Sequence, residues 1–206
     1  MKDMESYIVR IRSFYLGKCI RCGTGIVIGS RDVLTATHVA CGDQHLLIAG
    51  ELEMPMRVTQ QNDSSVILQS EELIPIESAQ IFSCDEILDS NANWEILGYI
   101  TAEQSPHMMA GRGFIYVKTE DNQWNYNLKE IESGYSQNYE GLSGSPVLSC
   151  GRIVGILQVQ AHDADGSLGV RMASAEMFQE LLSTDNFSLN EYELSIYQAC
   201  QAFSHR

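Results

Sequence analysis

The sequence predicts an all-β chain, a barrel or sandwich of short antiparallel strands with helices confined to its C-terminal end. Three observations carry this. Short runs rich in Val and Ile recur from Tyr7 to Gln160, Gly, Asn and Asp separate them, and helical spacing of apolar residues appears only after Ser174. No repeat of 20–50 residues and no low-complexity tract interrupts the pattern.

The first run, Tyr7–Ser13, alternates: Tyr7, Val9 and Ile11 fall on one face, Ile8, Arg10 and Arg12 on the other. Gly25–Gly29 (GIVIG) is apolar and bounded by glycines. Val33–Ala36, Gln44–Ile48 and Val66–Gln69 follow, then Trp94–Ile100, Gly113–Lys118, Pro146–Ser149 and Ile153–Gln160. Between Ser70 and Asn93 lie Glu71, Glu72, Glu77, Asp85, Glu86 and Asp89, which mark this stretch as the connection between two halves. Ser174 is placed to cap a helix carrying Phe178, Leu181 and Leu182. Ser188-Leu-Asn-Glu191 has capping-box spacing and opens a second helix, with Leu189, Tyr192, Ile196, Ala199, Cys200 and Phe203 on one stripe. Such a stripe faces a core, docks a partner or leads into a further domain.

With 206 residues, 44% of them hydrophobic and 19% charged, the chain can bury a sizeable core. Its net charge of -14 repels phosphate backbones, so nucleic acid is not an expected partner. No stretch of about 18 apolar residues calls for a membrane span. MKDMES followed by YIVRIRSFY lacks the apolar core of a signal peptide, so a cytoplasmic location with reduced thiols is expected. No cofactor is expected.

The densest chemical signal is Gly141-Leu-Ser-Gly-Ser-Pro146. A serine hydroxyl needs an adjacent base and a site for the oxyanion before it acts as a nucleophile. Small residues around Ser143 allow a sharp turn and close approach of a carbonyl, with the amides of Gly141 and Ser143 free to point at the developing charge. A plain turn before a strand is the other reading. Leu34-Thr-Ala-Thr-His38-Val places a histidine at the end of a short strand, and a distant His and Ser can meet in the fold.

Together these segments resemble trypsin-like serine peptidases, including the HtrA and V8-like branches. GTGIVIGSRDVLTATHV resembles their GTGxxI…VLTAxHV segment, GLSGSP their GxSGSP motif, and the order His, acid, Ser agrees. In outline the resemblance spans about Tyr7 to Leu182. It implies two antiparallel six-stranded-type barrels: residues 1–80 carrying His38 and the acid, residues 81–183 carrying Ser143, and a helix or linker over 184–206. It implies a serine endopeptidase in which His38 takes the Ser143 proton, an acyl-enzyme forms, and Gly141 and Ser143 supply the oxyanion hole. For the acid, the family's DxAVL pattern meets Asn62-Asp63-Ser-Ser-Val-Ile-Leu68. Asp63 is the expected residue, and Ser64 competes for its position.

The resemblance also assigns a substrate pocket floored near Gln137 and Asn138 and walled by Gln158 and Gln160. His162, Asp163 and Asp165 stand on the next loop. Leu142 replaces the Asp that receives a new N-terminus in trypsins, so no zymogen cleavage is expected. Activity is instead expected to be intrinsic or gated by an activating partner. Modules of bacterial antiviral conflict systems belong to the resembled set, and a missing signal peptide and trailing helix agree with them. A peptide-binding module without catalysis and a self-processing viral-type peptidase are the alternatives. Finally, Cys19-Ile-Arg-Cys22 and Cys41-Gly-Asp-Gln-His45 have zinc-compatible spacings, which the resembled fold would bring near His38, although ordinary free thiols are the expected reading of them.

Overall fold

A computed structural model describes residues 5–79, 88, 90–100, 105–117, 123–129, 140–162 and 168–183, without the side chains of 159–162, 168 and 169. Six strands form a closed antiparallel barrel: β1 (Ile8–Tyr15), β2 (Lys18–Val27), β3 (Asp32–Ala36), β4 (Gln44–Ala49), β5 (Leu52–Gln61) and β6 (Ser65–Ser70), in the order β1-β2-β3-β6-β5-β4. Closure buries the inward-facing Val9, Ile11, Val27, Val33, Leu47 and Leu68.

The second half is a curled seven-stranded sheet. Its strands are β7 (Asn93–Tyr99), β8 (Pro106–Arg112), β9 (Phe114–Tyr116), β10 (Tyr126–Leu128), β11 (Pro146–Ser149), β12 (Arg152–His162) and β13 (Leu168–Ser174), ordered β8-β7-β11-β12-β13-β10-β9. The two edge strands, β8 and β9, are separated in sequence only by Gly113. Its φ of 98° is one that L side chains avoid, and there the chain bends from one edge to the other. Arg112 N–H donates to Lys129 O, and Lys129 N–H to Gly113 O, across this corner. Counted with β8 and β9 as one bent strand, the second half is the six-stranded barrel that the resemblance implies. Trp94, fully buried with Nε1 donating to Lys129 O at 3.1 Å, sits at the centre of its core with Ile96, Met109, Phe114 and Met172.

The alternation of β1 does not expose one face. Ile8 is 2% exposed and Arg10 8%, because this outer face abuts the second barrel. Arg10 lies over the Tyr99 ring, 5.2 Å from its centroid, and reaches Ile100 O at 3.4 Å. The chain ends its described course in a 3-10 turn (Ala175–Phe178) and helix α1 (Gln179–Ser183). Ser174 opens this segment but does not cap it. Its backbone is extended and its Oγ is taken by Asn125 Nδ2 at 2.8 Å. The expected helix from Ser188 lies outside the described residues. None of the described helices is long and apolar enough to cross a membrane.

Candidate active site

Ser143 sits between β10 and β11, on a turn closed by Ser145 N–H to Leu142 O at 2.9 Å. Leu142 anchors the turn in the second core at 1% exposure. The next residue faces the first barrel. Gly144 has φ 86°, and a Cβ there would run into the Thr24 carbonyl oxygen and the Thr35 hydroxyl. Its own N–H donates to Leu157 O at 2.7 Å.

Thr24 fastens this turn to β2. Its N–H donates to Ser143 O at 2.8 Å, its hydroxyl donates to Gly141 O at 3.2 Å and accepts from Tyr99 N–H at 2.8 Å, and its carbonyl accepts from Thr35 Oγ1 at 2.7 Å. One residue therefore holds Ser143, β3 and β7 together. Among the described residues, the amides of Gly141 and Ser143 donate to no backbone carbonyl.

His38 belongs to a 3-10 turn, Thr37–Val39, that directly follows β3. Three contacts place this turn beside Ser143. Gly144 faces Ala36 N, 3.2 Å from where a Cβ would stand. Gly23 meets both the Val39 side chain and, at 3.0 Å from its own would-be Cβ, Ser143 O. Burial pushes the His38 pKa below its ordinary value of 6.5, and the positive charge of Arg21 pushes it further the same way. No carboxylate among the described residues contributes to that shift. The ring is consequently neutral near pH 7, the state a general base needs.

The shift has a sign that can be checked. A histidine whose folded pKa lies below its unfolded one binds fewer protons folded than unfolded. Stability is then complete above about pH 6.5 and falls as pH drops through the folded value. His45 is lowered too, by burial, with Asp43 opposing. The expected result is a denaturation midpoint that declines on acidification below pH 6.5, and restores above it. His38→Gln and His45→Gln should each remove part of the slope; a midpoint flat from pH 7 to 5 would contradict this.

The segment expected to supply the acid packs against the same turn. Thr37 N–H donates to Ser64 O at 3.2 Å and Thr37 Oγ1 to Asn62 O at 2.9 Å. Asn62 organises the bend: its Oδ1 accepts from Ser64 N–H, Ser64 Oγ and Ser65 N–H, and its Nδ2 donates to Met177 O. Ser64 is buried at 1% and Asp63 is exposed. The structure thus brings His38, Ser143 and Ser64 into one region and turns Asp63 to solvent.

Gln158 is 2% exposed and is the extra residue of a bulge, since Leu157 pairs Met172 and Val159 pairs Arg171. The bulge aims both its polar ends at the site. Its carbonyl accepts from Ser143 Oγ at 3.0 Å, and its Nε2 donates to Ser64 O at 2.7 Å. Its side chain is thereby committed between the barrels. Gln137, Asn138, Asp163 and Asp165 lie outside the described residues, as do the side chains of Gln160 and His162.

The zinc-compatible set does not assemble. His45, 6% exposed, points its Nδ1 at Ser13 Oγ, 2.9 Å away on the far side of β1 from β2, and Cys41 is exposed. Among the described residues no group of three or more His, Cys, Asp or Glu could hold a metal ion. Thr24, Arg21 and Asn62 carry no catalytic signature in sequence. Only Asn62, in Asn-Asp-Ser-Ser, shows the composition of a side-chain-capped turn.

Neither a protein-family model nor a curated protein matches the chain. Solved structures do. The Rv3671c protease from M. tuberculosis in its active form superposes with a TM-score of 0.70 at 21% identity, covering 90% of this chain and 83% of that one. An HtrA-type protease, AlgW, solved with a tripeptide, gives 0.67 at 14% identity, covering 88% and 60%. The MamO protease domain from Magnetospirillum magneticum, in its apo form, gives 0.61 at 15% identity, covering 88% and 98%. At these identities the likeness shows a shared double-barrel fold.

Proposed function

We propose that the chain is a serine endopeptidase in which Ser143 attacks a peptide carbonyl and His38 accepts its proton, forming an acyl-enzyme that water then hydrolyses. The observation that carries this is the Thr24 fastening. It seats the Ser143 turn of one barrel against the His38 turn of the other, with the Gly141 and Ser143 amides donating to no backbone carbonyl among the described residues. Those amides would receive the oxyanion. The solved neighbours are proteases of this fold, which supports a protein or peptide substrate.

Two features modify the family scheme. The Ser143 hydroxyl donates to Gln158 O, so a torsional change must redirect its O–H to His38 before attack. A substrate or an activating partner would act at that torsion. The second is that no carboxylate among the described residues acts on His38. In this reading the base works in a Ser–His dyad, oriented by the bend that Asn62 and Ser64 form beneath Thr37. Asp63→Asn is then expected to change the acylation rate by less than about twofold. In a complete triad the equivalent change costs roughly 10⁴, so a loss of that size would restore Asp63 to the mechanism.

The test is labelling with a fluorophosphonate probe, which reacts with an activated serine hydroxyl. Wild-type protein should be labelled and Ser143→Ala should not. A His38 without a carboxylate influence among the described residues also favours a second reading, a module that binds peptides without cutting them. Wild-type protein that binds peptide yet resists the probe would establish it.

A further inference from the structure

Cys19 and Cys22 are three residues apart in one strand, a spacing that normally sends side chains to opposite faces. Here β2 carries a bulge. Ser13 pairs Arg21 while Phe14 pairs Cys19, leaving Ile20 without a partner. The extra residue shifts the alternation by one, so both thiols emerge on the same side with their Sγ atoms 3.7 Å apart. Both are free; Cys19 is exposed and Cys22 half-buried. Arg12 pairs directly with Cys22 in the ladder.

We propose that Cys19 and Cys22 are a reversible disulfide site that exchanges with low-molecular-weight disulfides and sets the geometry of the Ser143 turn. The exposed Cys19 is the entering sulfur. Its thiolate attacks one sulfur of the small disulfide, giving a mixed disulfide and expelling one thiolate. Deprotonated Cys22 then attacks Cys19 Sγ, closing the intrachain bond and expelling the second. Two electrons pass from the protein dithiol to the small disulfide, and the two protein protons end on the two expelled thiolates. Burial, and the hydrogen bond with Cys19, hold the Cys22 thiol pKa up, opposed by Arg12 and Arg10, which favours Cys22 as the resolving partner.

Closing the bond brings the sulfurs from 3.7 Å to about 2.05 Å, tightening the bulge around Ile20 and Arg21. The neighbours of that bulge are the groups the site depends on. Arg21 acts on His38, Gly23 packs on Val39 and Ser143 O, and Thr24 N–H holds Ser143 O. This coupling rests on the peptidase reading; the disulfide itself does not.

The experiment equilibrates the full chain in glutathione buffers of increasing oxidised fraction, blocks free thiols with iodoacetamide and digests with trypsin. Because Arg21 lies between the cysteines, the oxidised form yields peptide 19–21 linked to 22–31. Exposed Cys41 and Cys150, which have no partner cysteine among the described residues, serve as controls. The linked pair should appear in buffers where those two carry little glutathione. Glutathione on Cys41 and Cys150 with no linked pair overturns the site. In Cys22→Ser, Cys19 should retain a glutathione adduct; an unmodified Cys19 overturns its role as the entering sulfur. Fluorophosphonate labelling of the two redox forms should differ by roughly 2- to 30-fold, the range of energetic coupling between packed sites. Equal labelling removes the coupling. Absence of labelling in both forms, with the linked pair present, counts against the peptidase reading and leaves the disulfide standing.

Discussion

Replacing His38 with alanine is expected to slow fluorophosphonate labelling of Ser143 by about a hundredfold, well short of a millionfold. The figure follows from how serine triads divide their work. In a complete triad, loss of Ser or His costs about 2 × 10⁶, and loss of the acid alone about 3 × 10⁴, because the members act as a unit. If His38 already works without a carboxylate, the acid's share is absent from the wild-type rate, and roughly two orders of magnitude remain for the histidine. The turn carrying His38 is a single 3-10 turn pinned by Thr37 and Val39, so the variant should fold. Comparison of second-order labelling rates, with circular dichroism to confirm the fold, checks this. A loss near 10⁶ would mean an acid is at work.

The largest effect on stability is expected from Gly144→Ala. A φ of 86° costs an alanine roughly 1–3 kcal/mol, and overpacking against the Thr24 carbonyl and Thr35 hydroxyl costs a further 1–3 kcal/mol or so. The sum, about 4 kcal/mol, lowers the melting temperature of a chain this size by about 8–16 °C. Gly151→Ala is the control, with a similar φ of 73° and nothing within 4 Å of its would-be Cβ; it should cost only the backbone part, about 1–2 kcal/mol. Equal losses in the two variants would show that crowding between the barrels contributes nothing. Gly144→Ala should also sharply reduce labelling, since seating the alanine must shift the turn against Thr24, whose N–H holds Ser143 O.

The parts of this site that were legible in sequence are those with a short-range requirement. Ser143 needs small neighbours to turn, and His38 follows directly on an apolar strand, so each leaves a local trace. Strand β5 left none, because Pro55 and the charged Glu53 and Arg57 do not resemble a strand. It forms because β4 and β6 flank it and closure supplies partners. Strand β8 was missed for a related reason, its Met, His and Gly residues gaining strand character from pairing with β7. The acid position was illegible at the level of a single residue. Whether residue 63 or 64 faces inward depends on where the bend ends and β6 begins, and Asn62 decides that with side-chain hydrogen bonds to Ser64 and Ser65. The bulges at Ile20 and Gln158 are long-range facts of the same kind, visible only in the register with a neighbouring strand.

Thr24 gives the molecule an uncommon failure mode. Its four hydrogen bonds reach Ser143, Gly141, Tyr99 and Thr35, so the rivet joining the halves is also the jig that sets the nucleophile. Any force that parts the barrels releases the serine turn in the same movement, while each half keeps its own strand ladder. Mild denaturant, or a partner wedged at that seam, would therefore silence the chemistry in a protein whose two halves are both still folded.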